Sequence, residues 1–151
     1  MGLFNLFKKP TIIQDDFFGR LRYMEFKDPS KGYFEGNGFF VPINAETEYL
    51  IQADASGPAD KQREIYFNLQ KDFDIYIEKI KPLIEDEFRN WKEDFEIKNF
   101  KEEFKLICLT IPRSDSIPLV WDMSFTTIHD ENHHVTIDFI GDIPNSVLID
   151  G

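Results

Sequence analysis

Hydrophobic and polar positions fall into three regimes along this chain: alternation, then recurrence every three or four residues, then alternation again. From Phe18 to Phe26 the period is two, with Leu21 and Tyr23 set apart by Arg20 and Arg22. Asp28-Pro29-Ser30-Lys31-Gly32 is a turn signal, after which Tyr33 to Ile43 alternates with Phe39, Val41 and Ile43 sharing a face. Glu46 to Asp54 gives a third strand with Tyr49 and Ile51 on one side. The three segments predict a β-meander. Gly36-Asn37-Gly38 within the second strand predicts a bulge or a close approach to the backbone. A phosphate loop does not fit there, because no Gly-Lys-Ser/Thr follows and the next segment is a strand.

Ser56-Gly57-Pro58-Ala59-Asp60 breaks the alternation and starts a helix, with Asp60 or Ser56 as its cap and Glu64 in its early turns. Ile65, Leu69, Phe73, Tyr76, Ile77, Ile80, Ile84, Phe88, Trp91 and Phe95 then recur at helical spacing, so residues 60–96 are expected to be helical. Pro82 lies inside this stripe and cannot donate to residue 78, which predicts a kink or break near Lys81. The stripe keeps its phase across the proline. Two consecutive segments covering one sheet face are therefore expected, the stripe being core rather than a cofactor site.

The final third returns to strands. Leu106 to Ile111 is almost continuously apolar and predicts a central strand, with Cys108 as an unreactive thiol within it. Trp121 to Ile128 and Val135 to Ile140 alternate around Asp130-Glu131-Asn132, a good hairpin loop. That loop sets Met123 opposite Phe139, Phe125 opposite Ile137 and Thr127 opposite Val135, with Asp122, Ser124, Thr126, Thr136 and Asp138 on the other face. The predicted architecture is one α+β domain over residues 15–151: a β-meander, helical segments kinked or broken near Pro82, and a C-terminal three-stranded segment. Runs of strands, helices and strands favour this over an alternating α/β fold. Residues 1–14 are expected to form an N-terminal arm.

Composition supports a packed core: 151 residues, 42% of them hydrophobic, include sixteen Phe. A single cysteine excludes an internal disulfide framework and suits a reducing compartment. No secretory signal and no apolar run of about 18 residues is present, which predicts a cytoplasmic protein without a transmembrane segment. Leu3, Phe4, Leu6 and Phe7 with Lys8 and Lys9 could touch a membrane surface, but two lysines anchor weakly and an arm is the simpler expectation.

Charge changes the picture more. The net charge is −11, and past Lys105 one cation, Arg113, stands against Asp115, Asp122, Asp130, Glu131, Asp138, Asp142 and Asp150. Such a surface attracts basic partners and repels nucleic acid and anionic lipid. Asp122, Glu131, Asp138 and Asp142 are the candidate partner-binding residues, and alternation predicts that Asp122 and Asp138 face water as near neighbours. His129, His133 and His134 cluster beside Asp130 and Glu131. His129 and His133 could converge on a metal, yet two protein ligands fall short of the usual three or four, so no metal or other cofactor is expected. Asp122 and Asp138 could also do acid–base chemistry in a pocket, which nothing in the sequence indicates.

Asp15-Asp16-Phe17-Phe18-Gly19-Arg20-Leu21 resembles the D-x-x-F-G-x-L opening of several small, mostly uncharacterised bacterial families that continue with a β-meander, helices and a closing hairpin. Their closing segment often reads D-x-E-H-G before alternating apolar residues. The present chain matches it at Asp130 and His133 and departs at Asn132 and His134. Some of those relatives are similar to immunity proteins encoded beside bacterial polymorphic toxins. The resemblance implies an immunity-type protein; together with the acidic C-terminal sheet face it gives the expectation of a non-enzymatic interaction protein that neutralises a basic partner, such as a toxin domain, through that face. The competing expectation is a small-ligand or metal-dependent enzyme or binding protein with its site near Asp122, Asp138, His129 and His133.

Overall fold

Among the described residues eight strands join one sheet in simple sequence order, and the α-helices lie between the fourth and fifth. A computed structural model describes residues 10–115 and 117–150. The strands are β1 (Ile12–Asp15), β2 (Gly19–Met24), β3 (Tyr33–Phe40), β4 (Ala45–Gln52), β5 (Phe104–Ile111), β6 (Val120–Thr127), β7 (Asp130–Ile140) and β8 (Ile143–Asp150). The helices are α1 (Asp60–Lys71), α2 (Phe73–Phe88) and the single turn α3 (Phe100–Glu103). All neighbouring strands run antiparallel except β4 and β5, which are parallel because the helical crossover returns the chain to the same end. This is the expected α+β arrangement, with two more strands than expected. Three of the four β1 residues, 12–14, fall in the expected N-terminal arm, and β8 makes the C-terminal segment four-stranded. Residues 1–9, and with them the membrane-surface expectation, lie outside the described residues.

The helical stripe packs on one sheet face. Leu69, Phe73, Ile77, Ile80, Ile84 and Phe88 bury against Leu21, Phe34, Phe40, Tyr49, Ile51, Leu106, Leu109, Met123, Phe125, Ile137 and Phe139. Each such side chain stabilises the fold by roughly 1.5–3 kcal/mol relative to exposure. The break in the stripe is not at Pro82. It falls at Asp72 (φ −102°, ψ 13°), whose amide closes α1 on the Asn68 carbonyl while its own carbonyl accepts the first α2 bonds, from Ile75 and Tyr76. Pro82 sits within α2 on the side exposed to water, as does Glu78, so the carbonyl that lacks its partner is solvated. The helix ends at Phe88. Trp91 is exposed, and Phe95 reaches the core from a turn, stacking on Phe88 at 4.5 Å.

Neither Ser56 nor Asp60 caps α1. Gln62 does so from inside the helix, accepting from the Ala59 amide at 3.0 Å while its side-chain NH2 donates to the Gln52 and Pro112 carbonyls at 2.7 and 2.9 Å. That one buried amide ties the helix start to the ends of the two parallel strands. In β3 the glycines mark a close approach: a Cβ on Gly38 would lie 2.6 Å from the Tyr49 ring, and one on Gly36 would lie 2.7 Å from Leu21. β3 ends at Phe40, and Val41–Ile43 form a 3-10 turn instead of continuing the strand; Phe34 and Phe40 are buried while Phe39 is exposed.

The D-x-x-F-G-x-L segment is the β1–β2 turn. Asp15 Oδ1 accepts the amides of Phe17 and Phe18 at 2.9 and 2.8 Å, and Asp15 Oδ2 meets Arg63 of α1 at 2.8 Å. Gly19 adopts φ +76°, open to glycine at little cost, and Phe18 and Leu21 are buried. Asp15, Phe18, Gly19 and Leu21, the four fixed positions of this motif, each serve the fold.

Candidate functional site

The sheet has a second face, opposite the helices, that no described helix covers. Its rows follow from the register: Ile12, Arg22, Glu35 and Leu50 toward one edge, then Glu48, Cys108 and Ser124, and Asp122, Asp138 and Ser146 toward the other. Arg22 and Glu35 form a salt bridge at 3.7 Å. Beyond β5 the face changes character. The strands β6, β7 and β8 contain no Lys or Arg, and their open side carries Asp122, Ser124, Thr136, Asp138, Ser146, Leu148 and Asp150.

Asp122 and Asp138 are direct cross-strand partners. The expected hairpin register was two residues away from the observed one, which pairs Trp121 with Phe139, Met123 with Ile137 and Phe125 with Val135. The chain turns at Ile128-His129 and β7 starts at Asp130, so the anticipated loop residues belong to the strand. A two-residue shift leaves every side chain on its expected face and changes only its neighbour. The two carboxylates differ in setting. Asp122 is half-buried and accepts from Thr110 Oγ1 at 3.0 Å, whereas Asp138 is exposed and accepts from Ser146 Oγ at 2.9 Å. Burial raises the Asp122 pKa, the Thr110 bond opposes that rise, and the charge of Asp138 adds to it. Cys108 lies half-buried on the same face, its thiol pushed up to about 12 by burial and by the nearby charges of Glu48 and Asp122. It is protonated at neutral pH and a poor nucleophile.

Glu131 and Asp142 do not join this patch. They lie beyond opposite ends of the central part of β7, roughly 30 Å apart along the strand. Asp142 faces the helices, where its Oδ1 accepts from Tyr76 OH at 3.0 Å and its carbonyl accepts from Lys79 at 3.0 Å. Burial and then the Asp142 contact raise the Tyr76 phenol above its ordinary range.

The two histidines that could have converged on a metal each hold a different carboxylate. His129 Nε2 lies 2.7 Å from Glu103 Oε1, wedged among Phe88, Phe95 and Phe104, and its carbonyl accepts from Lys92. His133 Nδ1 lies 2.8 Å from Asp130 on the exposed strand. Asp130 is held below the usual carboxylate range chiefly by this contact. Among the described residues, no three His, Cys, Asp or Glu side chains gather where a metal could sit. Glu103, missed by the sequence reading, is 9% exposed. Burial raises its pKa, but bonds from the Asn99 amide, His129 and the Lys98 amide outweigh it and hold the group low.

A depression of about 730 Å³ opens on the uncovered face, lined by Ile12, Arg20, Arg22, Glu35, Asn37 and Glu48. It belongs to β1–β4, and neither Asp122 nor Asp138 lines it. No described helix is long and apolar enough to cross a membrane.

No known protein family, curated protein or solved structure gives a significant match to this chain.

Proposed function

We propose that this chain is a non-enzymatic interaction protein of immunity type, which binds a basic protein partner through the β6–β8 part of its open sheet face. The observation that carries this reading is the charge of that surface: three strands without a Lys or Arg present Asp122, Asp138 and Asp150 on the uncovered side. Exposed carboxylates on a rigid sheet steer a cationic partner and oppose competing nucleic acid. An inhibitor of a nuclease gains from both effects. Hydroxyls of Thr110, Ser124, Thr136 and Ser146 surround the carboxylates and give the patch hydrogen-bonding capacity. The raised thiol of Cys108 and the separate pairing of His129 and His133 leave this face better suited to recognition than to chemistry.

The test is affinity capture at low salt from cells that produce the protein, with the native chain and with Asp138→Lys as baits. Strongly basic proteins held by the first and lost by the second support the proposal. Capture of the same proteins by both baits, or of acidic ones only, overturns it.

A further inference from the structure

We infer that β8 is a docking edge, on which an extended segment of the partner adds as a ninth strand. This inference rests on the proposed basic partner and names how it is held. Among the described residues β8 is the last strand of the sheet and pairs only with β7, so alternate backbone amides and carbonyls point away from the sheet. Natural edges are usually blunted by charge or by brevity. The opposite edge, β1, is only four residues long. β8 has eight residues and no charge from Ile143 to Ile149. Pro144 and the register shift near Asp138 and Phe139 blunt its first part, which leaves residues 145–150 as the free edge.

The two sides of that edge specify the occupant. Ser146, Leu148 and Asp150 pair with Asp138, Thr136 and His134 on the open face, while Val147 and Ile149 pair with Ile137 and Val135 on the helix side. Val147 and Ile149 are partly buried and pack against the core on the side where α2 lies close to β8. A ninth strand would set one row of side chains beside Asp138 and Asp150 and the other beside Val147 and Ile149. The matching segment alternates Lys or Arg with aliphatic residues. Strand addition of this kind takes affinity from the backbone and specificity from alternate side chains. A second copy of this chain fits less well, since each carries a net charge of −11 and would set carboxylates against carboxylates.

The probe is a blocked eight-residue peptide of alternating Lys and Val, compared with four Lys followed by four Val. Binding is followed by fluorescence anisotropy and by amide exchange of the protein. The alternating peptide should bind about tenfold or more tightly than the block peptide, and should protect amides in residues 145–150. Leu148→Lys, at a side chain 54% exposed, should weaken binding about tenfold or more without changing the melting temperature, and Ser146→Lys should do the same. Equal binding of both peptides overturns the edge. So does loss of binding in Asp138→Lys but not in Leu148→Lys, an outcome that leaves the acidic-face proposal standing. Failure of both peptides to bind at low salt removes both readings. A free protein that is already dimeric, with its β8 amides protected, assigns the edge to a second copy and overturns the inference.

Discussion

Asp122 and Asp138 stand directly opposite each other on β6 and β7, yet one is half-buried on Thr110 and the other exposed on Ser146. A cross-strand pair of like charges is unfavourable, and burial concentrates that cost on Asp122. Its folded pKa is raised, so it favours the folded state at low pH and loses that contribution as pH rises through the folded value. Asp122→Asn keeps the shape and removes the charge. The variant should melt on the order of 1–2 °C above the parent at neutral pH, with the difference vanishing in acid. Thermal scans across pH check this, and a gap that is constant with pH would contradict it.

Glu103 gives the opposite sign. Its folded pKa is depressed, so its contribution is present above the unfolded value and is lost as pH falls through the folded one. Glu103→Gln should cost about 1–3 kcal/mol at neutral pH, because the Asn99 amide and His129 lose a charged acceptor. The loss should shrink in acid. Urea unfolding at neutral and acid pH measures it.

Gly38→Ala should cost about 1–3 kcal/mol or prevent folding, because the added methyl meets the Tyr49 ring at 2.6 Å. That ring cannot retreat. It is 2% exposed and its hydroxyl donates to the Phe18 and Asn37 carbonyls. Far-UV circular dichroism with chemical unfolding gives the answer, and an unchanged midpoint would mean that Tyr49 is free to move.

The legible parts of the fold were those where one face is buried. Leu21, Tyr49, Ile51, Met123, Phe125, Ile137 and Phe139 all lie where their period placed them. β8 was missed because an edge strand needs little alternation, and only Val147 and Ile149 pack inward. A kink or break was expected near Lys81 because a missing donor is visible in sequence, whereas the break falls at Asp72, where no proline marks it. A proline on the wet side of a helix strands no buried carbonyl. The candidate site was half legible. Period two placed Asp122 and Asp138 on one face, but it could not show that Asp122, on an interior strand, is crowded by Thr110 and Cys108. Nor could it separate Asp142, drawn to Tyr76 across the β7–β8 turn, from the other carboxylates. Glu103 carried no signal, because its partner His129 is 26 residues away.

The most direct measurement of the central claim is association kinetics between the chain and a basic partner recovered by capture, at low and high salt. Asp122→Asn combined with Asp138→Lys spares the half-buried site a lysine and removes the charge pair. The on-rate should fall about tenfold or more in this variant at low salt. The gap should narrow as salt rises, because exposed charges are screened with a Debye length of about 8 Å at physiological ionic strength. The melting temperature should not fall. An on-rate indifferent to both salt and the double substitution would contradict recognition through the acidic sheet face.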